Sequence, residues 1–272
     1  MSAPAGEERE RFGGWRLDAL IAAGGLGEVW RAEREGVTAA LKRLHTHLAR
    51  IPEARELFDT EQRLATELPR HPGVVRALEV GDVDGRPYLV MELAAGVDLR
   101  RVVAVPAPLD APEPPPARLP RARVLAIVGG ACDAAAHLHA HGWIHGDLSP
   151  SNLIVDDADR VVLVDLGVAR RAGAGGPVRG SHAYMAPEQV RGHAWTPATD
   201  VFALGVILWE LAAGARLFHR GPPWLSQAAV IEAEPPPLSD AALDAIAQAA
   251  LAKDPARRIA SAAELAARLR EL

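Results

Sequence analysis

The chain has a single cysteine, Cys132, so no internal disulfide framework can form, and a reducing, cytoplasmic setting is expected. Cys132 lies in the apolar stretch AIVGGACDAAAHL and reads as a small core residue. There is no uninterrupted apolar run of about 18 residues, so no transmembrane helix is expected. The opening MSAPAGEERERF lacks the apolar segment of a signal peptide. A block of basic residues is also missing, and the net charge is −5, so nothing points to nucleic acid as a partner. What is present, 49% hydrophobic and 24% charged residues over 272 positions, suits one bilobed domain or two small ones.

Residues 15–45 alternate short apolar runs with glycine and charge: WRLDALIA, GGLGEVWRAE and VTAALKRL. That pattern predicts three antiparallel strands with a glycine-rich first turn. Pro52 opens a helix through IPEARELFDTEQRLATEL, with Ala54, Leu57, Phe58, Leu64, Ala65 and Leu68 at helical spacing. Two further strands are expected near VVRALEV and RPYLVMEL. The segment 106–120 contains seven prolines and reads as a stiff surface loop. Beyond it the patterns RARVLAIVGGACDAAAHLHAHG, DVFALGVILWELAAG, DAALDAIAQAALAKD and SAAELAARLREL are helical. The fold class expected is α+β: a small sheet with one helix, then a mostly helical part.

Chemistry gathers at three places. The turn IAAGGLGEV, residues 21–29, carries Gly24, Gly25 and Gly27, where backbone N–H groups can approach a polyphosphate. Lys42 ends the third strand in AALK, within reach of such a phosphate. Glu61 interrupts the apolar stripe of the helix, and a carboxylate there is costly unless paired, with Lys42 as the plausible partner. In HGDLSPSNLIVDDADRVVLVDLG, residues 145–167, LIV and VVLV flank a tight turn. A turn centred between Ala158 and Asp159 sets Asn152 opposite Asp165, an amide oxygen beside a carboxylate, which suits Mg²⁺ carrying phosphate. Asp147 then stands beside the ion, placed to accept a proton from a hydroxyl.

With these motifs in view, residues 15–272 resemble a protein kinase of the eukaryotic-like bacterial type. The resemblance rests on GGLGEV, AALK, Glu61, HGDLSPSN, DLG, GSHAYMAPE, DVFALGVILWEL and LAKDPARRIAS, in that order. It implies a tail at 1–14, an N-lobe over about 15–94, a C-lobe over about 95–272, and Mg-ATP in a cleft between the lobes. It makes Asp147 the catalytic base, Lys42 the holder of the α- and β-phosphates, Glu61 its support, and Asn152 with Asp165 the Mg²⁺ ligands. The nucleotide is expected to meet Ile21, Ala22, Val29, Ala40, Met91, Leu153 and the hinge at Glu92 and Ala94, with Asp98 on the ribose. Glu188 is expected to pair with Arg258, and Asp200 to brace the catalytic loop. The implied partner is a protein with a serine or threonine acceptor.

The chain departs from that family at four positions. Ala22 replaces the first glycine of the nucleotide turn, and Leu166 replaces phenylalanine in DLG. Gly146 replaces the arginine before the catalytic aspartate, which in the family meets a phosphorylated activation loop. Residues 167–180, GVARRAGAGGPVRG, contain no Ser, Thr or Tyr, so both ends of that switch are missing. Ser149 stands where these kinases place a lysine against the γ-phosphate, and is counted with the catalytic set. Ser181 resembles the small hydroxyl residue that marks serine/threonine kinases. A weak or inactive pseudokinase acting as a nucleotide-binding interaction module is the alternative. HGDLSPSN also resembles the aminoglycoside phosphotransferases, which lack GSHAYMAPE and the KDPARR arginine. His137 and His141 are spaced as helical zinc ligands can be, but no further ligand completes a set, and structural use is expected.

Overall fold

The computed structural model describes residues 10–104, 116–175 and 180–272. The expected tail at 1–14 and proline-rich loop at 106–120 lie largely outside them. The described residues divide into two compact units. One runs to Pro69 and takes in Val75–Ala94, and the other comprises Arg70–Val74 with Ala95–Leu272. The class is α+β, as the sequence pattern predicts.

The first unit is one antiparallel sheet and one long helix. Its strands are β1 (Arg11–Phe12), β2 (Trp15–Ala23), β3 (Gly27–Arg34) and β4 (Val37–Leu44), followed by helix α1 (Pro52–Glu67) and strands β5 (Ala77–Val83) and β6 (Arg86–Glu92). Their order across the sheet is β1-β2-β3-β4-β6-β5. Register decides which side chains share a face, because directly opposed residues point the same way. Val29 is opposite Lys42, Lys42 is opposite Leu89, and Ala40 is opposite Met91, so these five line one face. The other face carries a buried cluster of Phe12, Trp15, Leu17, Leu41, Tyr88 and Val90. Helix α1 starts at a proline, whose missing N–H is not needed in the first turn, and buries Ala54, Phe58, Glu61 and Leu64.

The second unit is mainly helical. It holds β7 (Val97–Asp98), α2 (Leu99–Val102), α3 (Arg121–Ala140), β8 (Trp143–Ile144), β9 (Leu153–Val155), β10 (Val161–Leu163) and β11 (Arg170–Arg171). Helices α4 (Pro187–Val190), α5 (Pro197–Ala213), α6 (Pro223–Glu232), α7 (Ala241–Ala250) and α8 (Ala262–Arg270) complete it. In α5 every residue from Ala198 to Ala212 is buried, which is why its sequence is apolar nearly all round rather than striped. Helices α3, α7 and α8 pack against it. Its C-terminal stop is Gly214 at φ 68°, the left-handed cap that glycine adopts most readily. Asp240 starts α7 by accepting from the N–H groups of Ala242 and Leu243, and Ser261 starts α8 by accepting from Glu264. Helix α6 was not among the expected helices: it begins at the second of two prolines and buries only Ser226 and Val230.

Candidate active site

In the first unit, the glycine-rich turn connects β2 to β3. Gly24 N–H donates to Gly27 O at 2.9 Å, closing the turn. A Cβ on Gly27 would overlap the carbonyl oxygen of Arg43, so the fold itself requires glycine there. A Cβ on Gly24 or Gly25 would meet nothing within 4 Å, so the fold makes no such demand at those two. Ile21 is exposed, while Val29 and Ala40 lie on the same face as Lys42. Lys42 Nζ donates to both carboxylate oxygens of Glu61 at 2.7 Å. Lys42 is 7% and Glu61 1% exposed, so this is a buried pair of the kind that tolerates loss of neither partner. On β6, Met91 is buried, and Glu92 at the strand end is exposed and pairs with Arg76 at 3.1 Å. Ala94 is half-buried at the end of this unit.

In the second unit, α3 ends at β8 and the chain enters the loop of Asp147. Asp200 on α5 braces that loop: its carboxylate accepts from the N–H groups of His145 and Gly146, both at 2.8 Å, and from His139 Nε2 at 2.8 Å. Burial alone would raise its pKa. The His139 hydrogen bond and the nearby His139 and His145 reverse that and hold it below the usual carboxylate value. His145 Nδ1 accepts from Asp147 N–H at 3.2 Å, and Gln189 donates to Gly146 O at 2.8 Å. Asp147 itself is fixed by Ser181 N–H, which donates to Oδ1 at 2.7 Å, and approached by Asn152 Nδ2 at 3.4 Å. Burial pushes its pKa up, and the charge of Asp165 pushes the same way against the Ser181 and His145 contributions. A Cβ on Gly180 would lie 2.7 Å from Asp147 Cγ, so the main chain at Gly180 lies directly over the carboxylate.

The hairpin register differs by one residue from the expectation. Leu163 pairs with Leu153, Val162 with Ile154 and Val161 with Val155. This sets Asn152 opposite Val164, whose N–H donates to Asn152 O at 2.9 Å, and not opposite Asp165. The cause is the turn, which closes with Asp159 in the left-handed region at φ 58° and is centred on Ala158. Asp165 follows at φ 62°, also left-handed, where a non-glycine residue is uncommon and concentrates at functional sites. Asn152 Nδ2 donates to Asp147 O at 2.8 Å, which leaves its Oδ1 as the end that can serve a cation. Ser149 is 1% exposed, and its Oγ meets no partner among the described residues. Leu153 is fully buried, and Asp98 caps α2 by accepting from Arg101 N–H at 3.2 Å.

Glu188 and Arg258 form a buried two-pronged ion pair, at 2.7 and 3.1 Å, with Thr199 Oγ1 donating to the same carboxylate at 3.0 Å. Arg258 also donates to Ala198 O at 2.7 Å. His71 stacks on His137 and His141 lies tilted against it, with ring centroids 4.7 Å apart at each step, and the described residues hold no metal-binding cluster. Sequence reasoning missed Trp195 beneath Gly146, Gln189, and the use of Ser181's main chain on Asp147. The only local hint was the pair of cations in GVARR: Arg170 lies over the Trp195 ring at 4.7 Å and Arg171 over Trp143 at 4.3 Å.

A protein kinase domain model matches residues 15–268. A probable serine/threonine-protein kinase of Corynebacterium efficiens is 34% identical over 94% of this chain and 40% of its own length. Serine/threonine-protein kinase Pkn1 of Myxococcus xanthus is 34% identical over 93% of the chain and 37% of its own. Serine/threonine-protein kinase PknA of Mycobacterium tuberculosis is 35% identical over 83% and 52%. The chain thus spans about half or less of the length of the curated relatives it matches. Among the described residues no helix is long and apolar enough to cross a membrane. With the domain match running over nearly its whole length, the chain belongs to the protein kinase family, alongside the eukaryotic-like serine/threonine kinases of bacteria.

Proposed function

We propose that this chain transfers the γ-phosphoryl group of Mg-ATP to a serine or threonine hydroxyl of a protein. The observation that carries the reading is Asp147. It is a half-buried carboxylate with raised proton affinity, oriented by Ser181 and Asn152 on a loop that Asp200 braces. A carboxylate so placed is suited to take the acceptor's proton as its oxygen bonds to phosphorus and the oxygen of ADP departs. Lys42 holds the α- and β-phosphates, and Glu61 fixes the direction of its ammonium. The room left at Gly24 and Gly25, where the fold does not need glycine, favours close approach of phosphate oxygens to the turn. Val29, Ala40 and Met91 on one sheet face supply apolar surface for adenine, with Ile21, Ala22 and the main chain at Glu92 and Ala94 in the same unit; Leu153 is the further adenine contact that the family resemblance implies. Asp98 serves the ribose.

Asn152 Oδ1 and the Asp165 carboxylate are hard oxygen donors of the type Mg²⁺ prefers, so the residues present fit that ion. An ion held by these two residues would supply neutralisation of phosphate charge. Ser149 offers a buried hydroxyl toward the transferring group in place of the family's lysine. The single cysteine is buried and unpaired with any other, which accords with work in the cytoplasm. The decisive assay is radiolabel transfer from ATP to casein, with Lys42→Ala, Asp147→Asn and Asp165→Ala as controls. Transfer by the wild type and near-complete loss in all three is expected. Nucleotide binding without transfer would favour the pseudokinase reading, and wild-type turnover in Asp165→Ala would remove the metal assignment.

A further inference from the structure

Gly146 lies at φ 74°, in the left-handed region, and a Cβ there would overlap ring atom Cζ3 of Trp195. This is the position at which the family resemblance places an arginine that meets a phosphate on the activation segment. Here an indole fills the space. Trp195 is 1% exposed and among the largest fully buried side chains in the chain. Its Nε1–H meets no acceptor among the described residues, so the ring is held by packing and by the guanidinium of Arg170, 4.7 Å from its centroid.

The same residue is tied to the activation segment through its main chain. Gly173 N–H donates to Trp195 O at 2.8 Å, and Trp195 N–H donates to Ala174 O at 3.1 Å. Arg170 folds back to donate to Gly175 O at 2.8 Å, and β11 pairs with β8 immediately before the Asp147 loop. Trp195 therefore touches the catalytic loop with its ring and residues 170–175 with its ring and both main-chain groups. A phosphate-bridged arginine would join the same two segments, but only when the phosphate is present. An aromatic face with a cation on it joins them without any modification.

We propose that Trp195 is a positioning residue that permanently clamps the activation segment to the Asp147 loop, with Arg170 as its cationic cover and Gly146 as the gap that admits it. The proposal rests on the kinase reading above. It assigns the clamp to residues that no phosphatase can alter.

The test compares the full chain with Trp195→Ala, Trp195→Phe, Arg170→Met and Arg170→Lys. The readouts are kcat and KM for ATP with casein as acceptor, thermal midpoint, and hydrogen exchange of the Gly173 amide. Trp195→Ala should lower kcat about 10- to 100-fold, the penalty expected for small misplacement of a catalytic group, with KM for ATP within about twofold. Trp195→Phe, which keeps an aromatic face, should recover most of kcat. Arg170→Met should lower kcat severalfold and Arg170→Lys restore it. Exchange at Gly173 should quicken in Trp195→Ala and Arg170→Met but not in the conservative pair. Wild-type kcat and unchanged Gly173 protection in Trp195→Ala would overturn the clamp. So would equal losses in the Ala and Phe variants that merely follow the thermal midpoint. If Trp195→Ala does not fold, the Arg170 pair decides, and wild-type kcat and protection in Arg170→Met refute the proposal. If the wild type itself transfers no phosphate, the kinase reading fails, and the exchange comparison still decides the clamp.

Discussion

Lys42 and Glu61 satisfy each other at 2.7 Å in a nearly water-free place. Removing one leaves the other uncompensated, so Glu61→Ala should cost about 3–5 kcal/mol in chemical denaturation and Glu61→Gln distinctly less. Equal midpoints for Glu61→Ala and wild type would show that the pair contributes no net stability. Asp147 behaves differently, because its burial raises its pKa. The folded chain then holds that proton more tightly than the unfolded chain. Ionised Asp147 detracts from stability above its folded pKa, and that cost shrinks as pH falls from there and is gone below the ordinary carboxylate value. Asp147→Asn should thus abolish transfer while leaving the thermal midpoint at neutral pH unchanged or higher. The acid limb of the wild-type kcat/KM profile should lie above the usual carboxylate range. A lower midpoint in Asp147→Asn would mean that Ser181 and Asn152 need the charge more than burial penalises it.

Residues 167–180 contain no hydroxyl side chain, and 170–175 are fastened by strand pairing, main-chain bonds and two cation–aromatic contacts. Phosphatase-treated and untreated enzyme should therefore turn over alike. A large drop, mapped by mass spectrometry to a site within 167–188, would contradict that expectation. The hairpin β9–β10 shows how local patterning sets an element but not its last detail. LIV and VVLV were legible as strands, yet the register shifted by one residue because Asp159 takes a left-handed conformation that composition alone does not reveal. Helix α1 was legible to its first proline, including the anomalous Glu61. Helix α6 was not, because it buries too few side chains to produce a stripe.

Over the whole molecule, the helical unit depends on polar groups sealed inside it. Arg258 joins Glu188, the main chain of the first turn of α5, and the turn after α7, all within its buried surroundings. Arg258→Leu should leave Glu188 buried and unpaired and lower stability by about 3–5 kcal/mol, read as a fall in denaturation midpoint. Retention of the wild-type midpoint would show that Glu188 finds another partner. Lys253 provides a pH signature. Burial lowers its pKa from 10.5 to about 8, beside the rings of Phe202 and Phe218. Between those two values the unfolded chain holds a proton that the folded chain has released. Its contribution is therefore full above about 10.5 and is lost as pH falls toward about 8. Relative to Lys253→Met, wild-type stability should rise across that window, and parallel curves for the two would refute it.

The sequence by itself determined the family, the α+β class, the long helices and the identity of the charged groups at the site. Each is written in short-range patterns: a glycine turn, a period of two or of 3.6, an aspartate five residues before an asparagine. It also showed that the arginine at 146 and the hydroxyls of 167–180 are missing. What fills the gap was decided only by tertiary packing. Trp195 reads as an isolated aromatic before α5, and nothing in its neighbours signals Gly146 or Arg170. Contacts between residues far apart in the chain leave no periodic trace, because they depend on how whole elements stack and on which ring fits the space that remains. The same holds for Ser181, recognisable as a hydroxyl residue, whose main-chain N–H is the group placed on Asp147.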